Sequence, residues 1–363
     1  MKVLIIKDNR YLLHEMGPFH PESPRRLETI YRHLEDLKGP FEYAEGELVK
    51  EEELLSVHDY HYVEYMASTR GKYVQLDPDT STCPHTYEVA LLAVGGLLKA
   101  IDGVLSGDFS SAFALIRPPG HHAENNRAMG FCFFNNVAIG AKYAQRKCGL
   151  KRVLIVDWDL HHGNGTQKAF WTDPSVLYFS VHQYPYYPGT GHFQEIGAGE
   201  GKGFTVNCPL RVGHDDLDYA NIFRHHLKPI ALSFAPELIL VSAGFDPYCR
   251  DPLGGMKITE RGFARLCDIL VDISEKTGAP LVFALEGGYH PEGLAKSVVE
   301  VLKRLGGELS FDQKQCEEEE DKAFSRVAPL LSTFQEVLKP YWEFEKYKKT
   351  QGSFKPLGFF QKV

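Results

Sequence analysis

Residues 156–165 read VDWDLHHGNG and set Asp157, Asp159 and His161 at alternate positions. In an extended chain alternate side chains point the same way, so these three share one side and Trp158 and Leu160 the other. A lone Asp-x-Asp is usually a cap or a solvated loop. With His161 two residues on, and Asp246 in a second loop, it becomes two carboxylates and an imidazole. Such a set leaves a position open for water, as a catalytic zinc needs, and it suits Fe(II) as well.

Residues 117–136, RPPGHHAENNRAMGFCFFNN, add His121 and His122 side by side behind a Pro-Pro-Gly turn. Each imidazole brings ring nitrogens that need partners when buried, and Asp157 and Asn164 are the candidates. A carboxylate against one ring favours its charged form, while an amide against the other leaves it nearer neutral. That difference separates an electrostatic role from a proton-transfer role. Tyr289, behind the two glycines of LEGGYH, can aim a phenol at a carbonyl and stabilise a developing oxyanion. The plain alternatives are a packing turn for the histidines and a core position for Tyr289. Of the aromatics Phe131, Phe133, Phe134, Tyr184, Tyr186 and Tyr187, most are expected in the core. Phe131 after Gly130 and Tyr187 before PGTG are placed to flank a channel for a methylene chain.

The elements that position these residues are legible as runs. Strands are expected over 2–7, 112–117, 152–157, 176–181, 204–210, 238–243 and 281–286, several of them apolar on both faces, as in a parallel sheet covered on both sides. Helical patterns fall between them at 86–105, 134–147, 216–234, 259–277 and 292–305. Alternating strands and helices give an α/β sheet with right-handed crossovers. RPPGHH, DWDLHHGNG, SVHQYPYYPGTG, GFDP and EGGYH each follow the carboxyl end of a strand. Ligands bind beyond that end of such a sheet, so these loops should converge on one rim.

The 363 residues are 43% hydrophobic and 24% charged, with a formal charge of −8. They suffice for one large domain or two ordinary ones. Mixed charge with an acidic excess argues against direct nucleic-acid binding, which needs a basic face, and leaves room for Lys-rich tails or polyamines. No run approaches the roughly 18 apolar residues of a membrane span. No leader or lipidation motif is seen, so no membrane association and a cytoplasmic location are expected. The seven cysteines are scattered without CxxC and are read as reduced thiols.

Taken in order, HPESPRRL (20–27), RPPGHHAENNRAMGFCFFNN, VLIVDWDLHHGNGTQ, PGTG, SAGFDPYCRDPLGG and ALEGGYH span residues 20 to about 305. They resemble the zinc-dependent histone deacetylase family, which includes acetylpolyamine amidohydrolases and acetoin-utilisation-type proteins. The resemblance implies an arginase-like α/β fold: a single catalytic domain over 1–310, a central, mostly parallel sheet flanked by helices, and metal-assisted amide hydrolysis at the strands' carboxyl ends. It implies Asp159, His161 and Asp246 as zinc ligands and His122 as general base, later the acid. His121 paired with Asp157 becomes the electrostatic partner. Tyr289 polarises the acyl oxygen, the Gly130 carbonyl takes the substrate N–H, and Phe131 with Tyr187 walls a lysine channel. Arg26 matches an internal acetate channel. A structural potassium would lie by Asp157, Asp159, His161 and Ser180.

Asn164, catalytic by the same match, stands where the class I branch has aspartate, which points to a class II-like sequence. Tyr289 replaces the histidine of the weakly active class IIa members. Leu253 occupies the rim position where polyamine-selective relatives carry an acid. A leucine cannot pair with a secondary ammonium and leaves it poorly solvated. An acyl-lysine of a protein or peptide is therefore the expected substrate, with acetylpolyamine or another small-molecule amide as the alternative. One departure is Thr82 before Cys83-Pro84, where many members have an aspartate; Asp77 and Asp79 lie upstream. Residues 311–363 fall outside the resemblance and are expected to form a helical extension and tail, its acidic start suiting a helix N-terminus. The apolar FKPLGFF near its end is expected to dock on its own domain or on a second copy in a homo-oligomer.

Overall fold

The computed structural model describes residues 2–344. Ten strands follow in chain order: β1 (Val3–Ile6), β2 (Phe41–Ala44), β3 (Gln75–Asp77), β4 (Thr80–Ser81), β5 (Ser111–Ala114), β6 (Val153–Asp157), β7 (Val176–Gln183), β8 (Thr205–Leu210), β9 (Leu238–Ala243) and β10 (Leu281–Leu285). Eight of them form one sheet in the order β2-β1-β5-β10-β9-β6-β7-β8. Every neighbouring pair in it is parallel. β6, β9 and β10 are buried at every residue, because helices cover both faces and the side chains pointing either way must be apolar. The result is a single α/β domain with a central parallel sheet flanked by helices.

The connections decide where chemistry can sit. From β6 the chain steps outward to β7 and β8; it then returns to β9, inside β6, and steps the other way to β10. β6 and β9 are thus neighbours whose next strands leave in opposite directions, which opens a crevice beyond their carboxyl ends. In register, Asp157 at the end of β6 lies opposite Ser180 of β7 and Ser242 of β9.

Most expected helices form within a residue or two of their predicted ends, at Thr86–Leu105, Asn136–Cys148, Glu260–Thr277 and Pro291–Gly306. Thr259 caps one start by accepting from the Gly262 amide, and left-handed Gly278 ends that helix, as cap chemistry requires. The stretch 216–234 is a correction. It is helical at Asp216–Ile222, widens into a π turn at Phe223–Leu227, and resumes at Lys228–Phe234. Pro229 has no amide hydrogen to continue the ladder, and the Lys228 amide reaches back to the Phe223 carbonyl instead. β2 and the antiparallel hairpin β3–β4 were not expected from the sequence.

Beyond residue 310, helices Gln313–Ala323 and Ala328–Leu338 lie on the α/β domain. Leu331, Phe334, Leu338 and Trp342 join its core. Glu320, fully buried, takes ion pairs from Arg224 and Arg265; a carboxylate taken out of water there is held by its partners. The FKPLGFF stretch lies outside the described residues. Among the described residues no helix is long and apolar enough to cross a membrane. All seven cysteines are free.

Candidate active site

The crevice between β6 and β9 holds the only group of this kind among the described residues: Asp159, His161 and Asp246, all buried, with ligand atoms within 4.8 Å of one another. His161 Nδ1 lies 3.2 Å from Asp159 Oδ1 and 3.0 Å from Asp246 Oδ2. Main-chain amides aim both carboxylates: Gly287 N–H donates to Asp159 Oδ2 at 2.8 Å and Leu160 N–H to Asp246 Oδ1 at 2.8 Å. The alternation expected at 157–161 holds, and His162 turns away to Thr190 and Gln167. The cradle has no room for a side chain at residue 287. A Cβ there would come within 2.4 Å of Asp246 Oδ2 and 2.6 Å of Asp159 Oδ2. Burial disfavours a charged His161, yet Asp159 and Asp246 hold its pKa up at about 10. A proton shared between two buried carboxylates marks a place that wants a cation, and the donor set fits a divalent metal with an open position.

His121 and His122 stand beside this cluster, their ring centres 4.0 Å apart. His121 Nδ1 is 3.0 Å from Asp157 Oδ2, which also accepts from the Tyr178 hydroxyl at 3.0 Å. Against the effect of burial, Asp157 and then Asp159 raise His121 to about 10, so it carries charge. His122 Nδ1 is 2.8 Å from Asn164 Oδ1. Burial, followed by the cationic His121 and His161, pushes His122 well below its ordinary value. The surroundings thus push the two imidazoles in opposite directions, favouring the charged form of His121 and the neutral form of His122.

Tyr289 packs edge-on to Phe131 at 5.7 Å, with the Arg26 guanidinium 5.0 Å from its ring centre. Burial raises its phenol well above the usual range, so it stays a proton donor. Gly130, at φ +56°, is indispensable: a Cβ would sit 2.4 Å from His122 Cδ2. Its carbonyl accepts from the Cys132 thiol at 3.3 Å and keeps a second lone pair. Phe131 holds a left-handed φ of +69°, uncommon for a side chain with a Cβ, and the Thr80 hydroxyl accepts from its amide at 2.9 Å. Tyr187 stands edge-on to His122 at 5.1 Å. Tyr186 stacks on His161 at 5.6 Å and donates its hydroxyl to the Leu253 carbonyl at 3.1 Å, which brings Leu253 to the rim.

Arg26 is fully buried and donates to the Gly288 carbonyl at 2.7 Å and the Glu286 carbonyl at 2.5 Å, while pairing with Glu22. Ser180 is buried beneath, its hydroxyl 2.8 Å from His182 Nδ1. Thr82 faces inward, donating to the Lys72 carbonyl and accepting from the Val74 amide. The rim there is supplied by the hairpin instead: Arg127 pairs with Asp77, and His20 Nε2 lies 3.1 Å from the Asp79 carbonyl. Burial first, then the charge of Asp79, raises the Tyr187 phenol.

Several functional supports escaped the sequence. Glu22 bridges Arg26 and Arg117. The Glu286 carboxylate accepts from the amides of Gly120 and His121, at 2.6 and 3.2 Å. Asp251 accepts from Leu253, Tyr289 and His290. A buried acid gripping backbone amides leaves no periodic signal; only its place beside DPLGG and LEGGYH hinted at one.

The family model described as the histone deacetylase domain matches residues 20–305. A probable deacetylase of Archaeoglobus fulgidus is 36% identical over 357 residues, covering 93% of this chain and 98% of its own. Histone deacetylase 5 of Arabidopsis thaliana is 36% identical over 364 residues, covering 94% of this chain and 54% of its own. The chain therefore spans nearly all of the archaeal relative and about half of the plant one. The solved structure of the HDA15 HD domain is similar at a TM-score of 0.84 and 34% identity, with 94% of this chain and 97% of that one covered.

Proposed function

The chain belongs to the histone deacetylase family, and from that premise we propose that it is a zinc-dependent lysine deacylase, removing acetyl or related acyl groups from lysine side chains of proteins or peptides. The observation that carries this reading is the pair of imidazoles, His121 against the Asp157 carboxylate and His122 against the Asn164 amide, beside the Asp159, His161 and Asp246 cluster. Those three residues would hold the metal, which when bound polarises a carbonyl and lowers the pKa of its water.

The remaining steps belong to side chains. Asn164 accepts from the Nδ1–H of His122 and so leaves Nε2 as the basic nitrogen. His122 takes the proton of the attacking water and returns it to the departing lysine amine. His121, kept charged by Asp157, supplies fixed positive potential. The Tyr289 phenol donates to the oxyanion as it develops. The Gly130 carbonyl orients the scissile N–H, while Phe131 and Tyr187 enclose the methylene stem. Arg26 supplies a buried positive charge for acetate leaving through the interior. A structural potassium belongs to the same proposal, supported by the register that sets Ser180 beside Asp157 under the Asp159–His161 loop. Fe(II) is the rival metal, decided by metal content after purification.

Acetylpolyamine remains the second reading because the β3–β4 hairpin carries Asp77, paired with Arg127, and the exposed Asp79, whose charge acts on Tyr187. The test is kcat/KM of the zinc-loaded protein on an acetyl-lysine peptide against N-acetylated polyamines. A strong peptide preference supports the apolar Leu253 rim. A polyamine preference shifts recognition to the hairpin acids and overturns the substrate assignment. Activity on neither removes acetyl as the acyl group.

A further inference from the structure

The loop from Glu286 to His290 is gripped along its whole length. Arg26 takes the carbonyls of Glu286 and Gly288, and Asp159 takes the amide of Gly287. Tyr289 follows two glycines, and Gly288 has φ +117°, a conformation in which the turn keeps freedom unless something binds its far side. That far side is bound from another loop. Asp251, only 6% exposed, accepts at Oδ2 from the Tyr289 amide at 2.6 Å and the His290 amide at 3.2 Å. Its Oδ1 accepts from the Leu253 amide at 2.9 Å.

We propose that Asp251 is a positioning residue for the hydrolysis, its carboxylate locking the turn that carries Tyr289 and the rim segment that carries Leu253 into one unit. This rests on the oxyanion role of Tyr289. Asp251 follows β9 and Tyr289 follows β10, so the carboxylate joins the strand end that carries Asp246 to the strand end that carries the phenol. Nothing but a carboxylate suits the position. Its two oxygens accept three amide hydrogens, whereas an amide side chain would turn an NH2 towards one of those N–H groups and oppose donor to donor. Catalytic geometry tolerates little looseness: a misplacement of about 1 Å at a distance from the chemistry lowers rates by about a hundredfold.

The test is a double-mutant cycle in the zinc-loaded full chain with an acetyl-lysine peptide: wild type, Asp251→Asn, Tyr289→Phe and the double variant. Asp251→Asn is expected to lower kcat by about tenfold or more with KM changed by less than about threefold, but to lower it by less than about twofold once Tyr289 is phenylalanine. An equal loss in both backgrounds, or no loss in either, overturns the proposal. Full activity of Tyr289→Phe alone sinks the oxyanion reading instead, so the two failures are told apart. Zinc content and thermal midpoint establish that each variant is folded. If Asp251→Asn does not fold, hydrogen exchange on the wild type decides: slow exchange at the Tyr289 and His290 amides is required, and exchange at the rate of an open loop overturns the clamp.

Discussion

Asn164→Asp puts the proton-transfer assignment at risk. Asn164 Oδ1 stands 2.8 Å from His122 Nδ1, and its Nδ2 donates to Glu124 Oε1 at 3.1 Å. The substitution keeps the acceptor towards His122 and adds a charge about 4 Å from the ring centre, an attraction of about 4 kcal/mol at an effective dielectric of about 20. At about 1.4 kcal/mol per unit that is a rise of about three pKa units. Part of it is offset, because the new carboxylate faces Glu124, whose own carboxyl is held low, against its burial, by Lys168 and Asn164. A net rise of about one to two units remains. The sign follows directly. Burial, and then the His121 and His161 charges, push His122 well below its ordinary value, which favours its neutral, proton-accepting form. Raising its pKa increases the protonated fraction at any given pH, and the protonated ring cannot accept a proton. Activity is then lost at higher pH as the solution is acidified, and the acid limb of kcat/KM moves to the alkaline side by about one to two units. The assay is kcat/KM on an acetyl-lysine peptide from about pH 5 to about pH 10. An unmoved acid limb in a folded, zinc-replete variant would refute the assignment of His122 as the base.

Tyr289→Phe should lower kcat by about a hundredfold to a thousandfold, as for the loss of one oxyanion donor, while zinc content and binding of an uncleaved substrate analogue persist. Leu253→Glu should shift the ratio of kcat/KM for acetylpolyamine over peptide by about tenfold or more, since a rim carboxylate solvates the ammonium that leucine cannot; an unchanged ratio would place specificity elsewhere, with Asp77 and Asp79 next to test. Zinc binding should release about one proton per metal near pH 7.5, because a histidine ligand must be deprotonated and His161 is held at about 10 by its carboxylates despite burial. Calorimetry in buffers of differing ionisation enthalpy reads that number, and zero release would contradict the proton-bridged cluster.

Strands such as Val153–Asp157 and Leu238–Ala243 were legible because burial on both faces makes them continuously apolar. β2 was not: its FEYA sits at the sheet edge with no residue fully buried, so its pattern is that of a loop. The π turn at Phe223–Leu227 was hidden because the apolar spacing of 216–234 continues through it and only Pro229 marks the break. Within the site, Asp157, Asp159 and His161 could be grouped because alternation is a local property. The partnership of Asp159 with Gly287, and that of Glu286 with Gly120, depends on which strand ends the topology brings together. The hairpin that carries Asp77 and Asp79 was hidden for the same reason. Thr82 occupies the expected chain position but faces the hairpin's base; of the two acids upstream, Asp79 is exposed while Asp77 is tucked against Arg127.

The carboxylates of this site do two jobs with different lone pairs, and this governs how ligand mutants should be read. Asp159 accepts from the amides of His161 and Gly287, Asp246 from Leu160, Asp157 from Asp159, Glu286 from Gly120 and His121, and Asp251 from Leu253, Tyr289 and His290. Each oxygen has more than one acceptor site, so an amide donor can fix a carboxylate's orientation while leaving capacity for a cation or a charged imidazole. The loops are joined by these contacts, without a disulfide among the seven cysteines. Replacing Asp159 or Asp246 by alanine therefore removes a proposed metal ligand and also orphans a buried amide that tied two loops, a loss of about 1–3 kcal/mol for each unsatisfied group. Asparagine at the same positions retains an oxygen for the amide while weakening the hold on the cation. The difference between the two substitutions, measured as zinc content against unfolding midpoint, separates what the metal contributes from what the loop junction contributes.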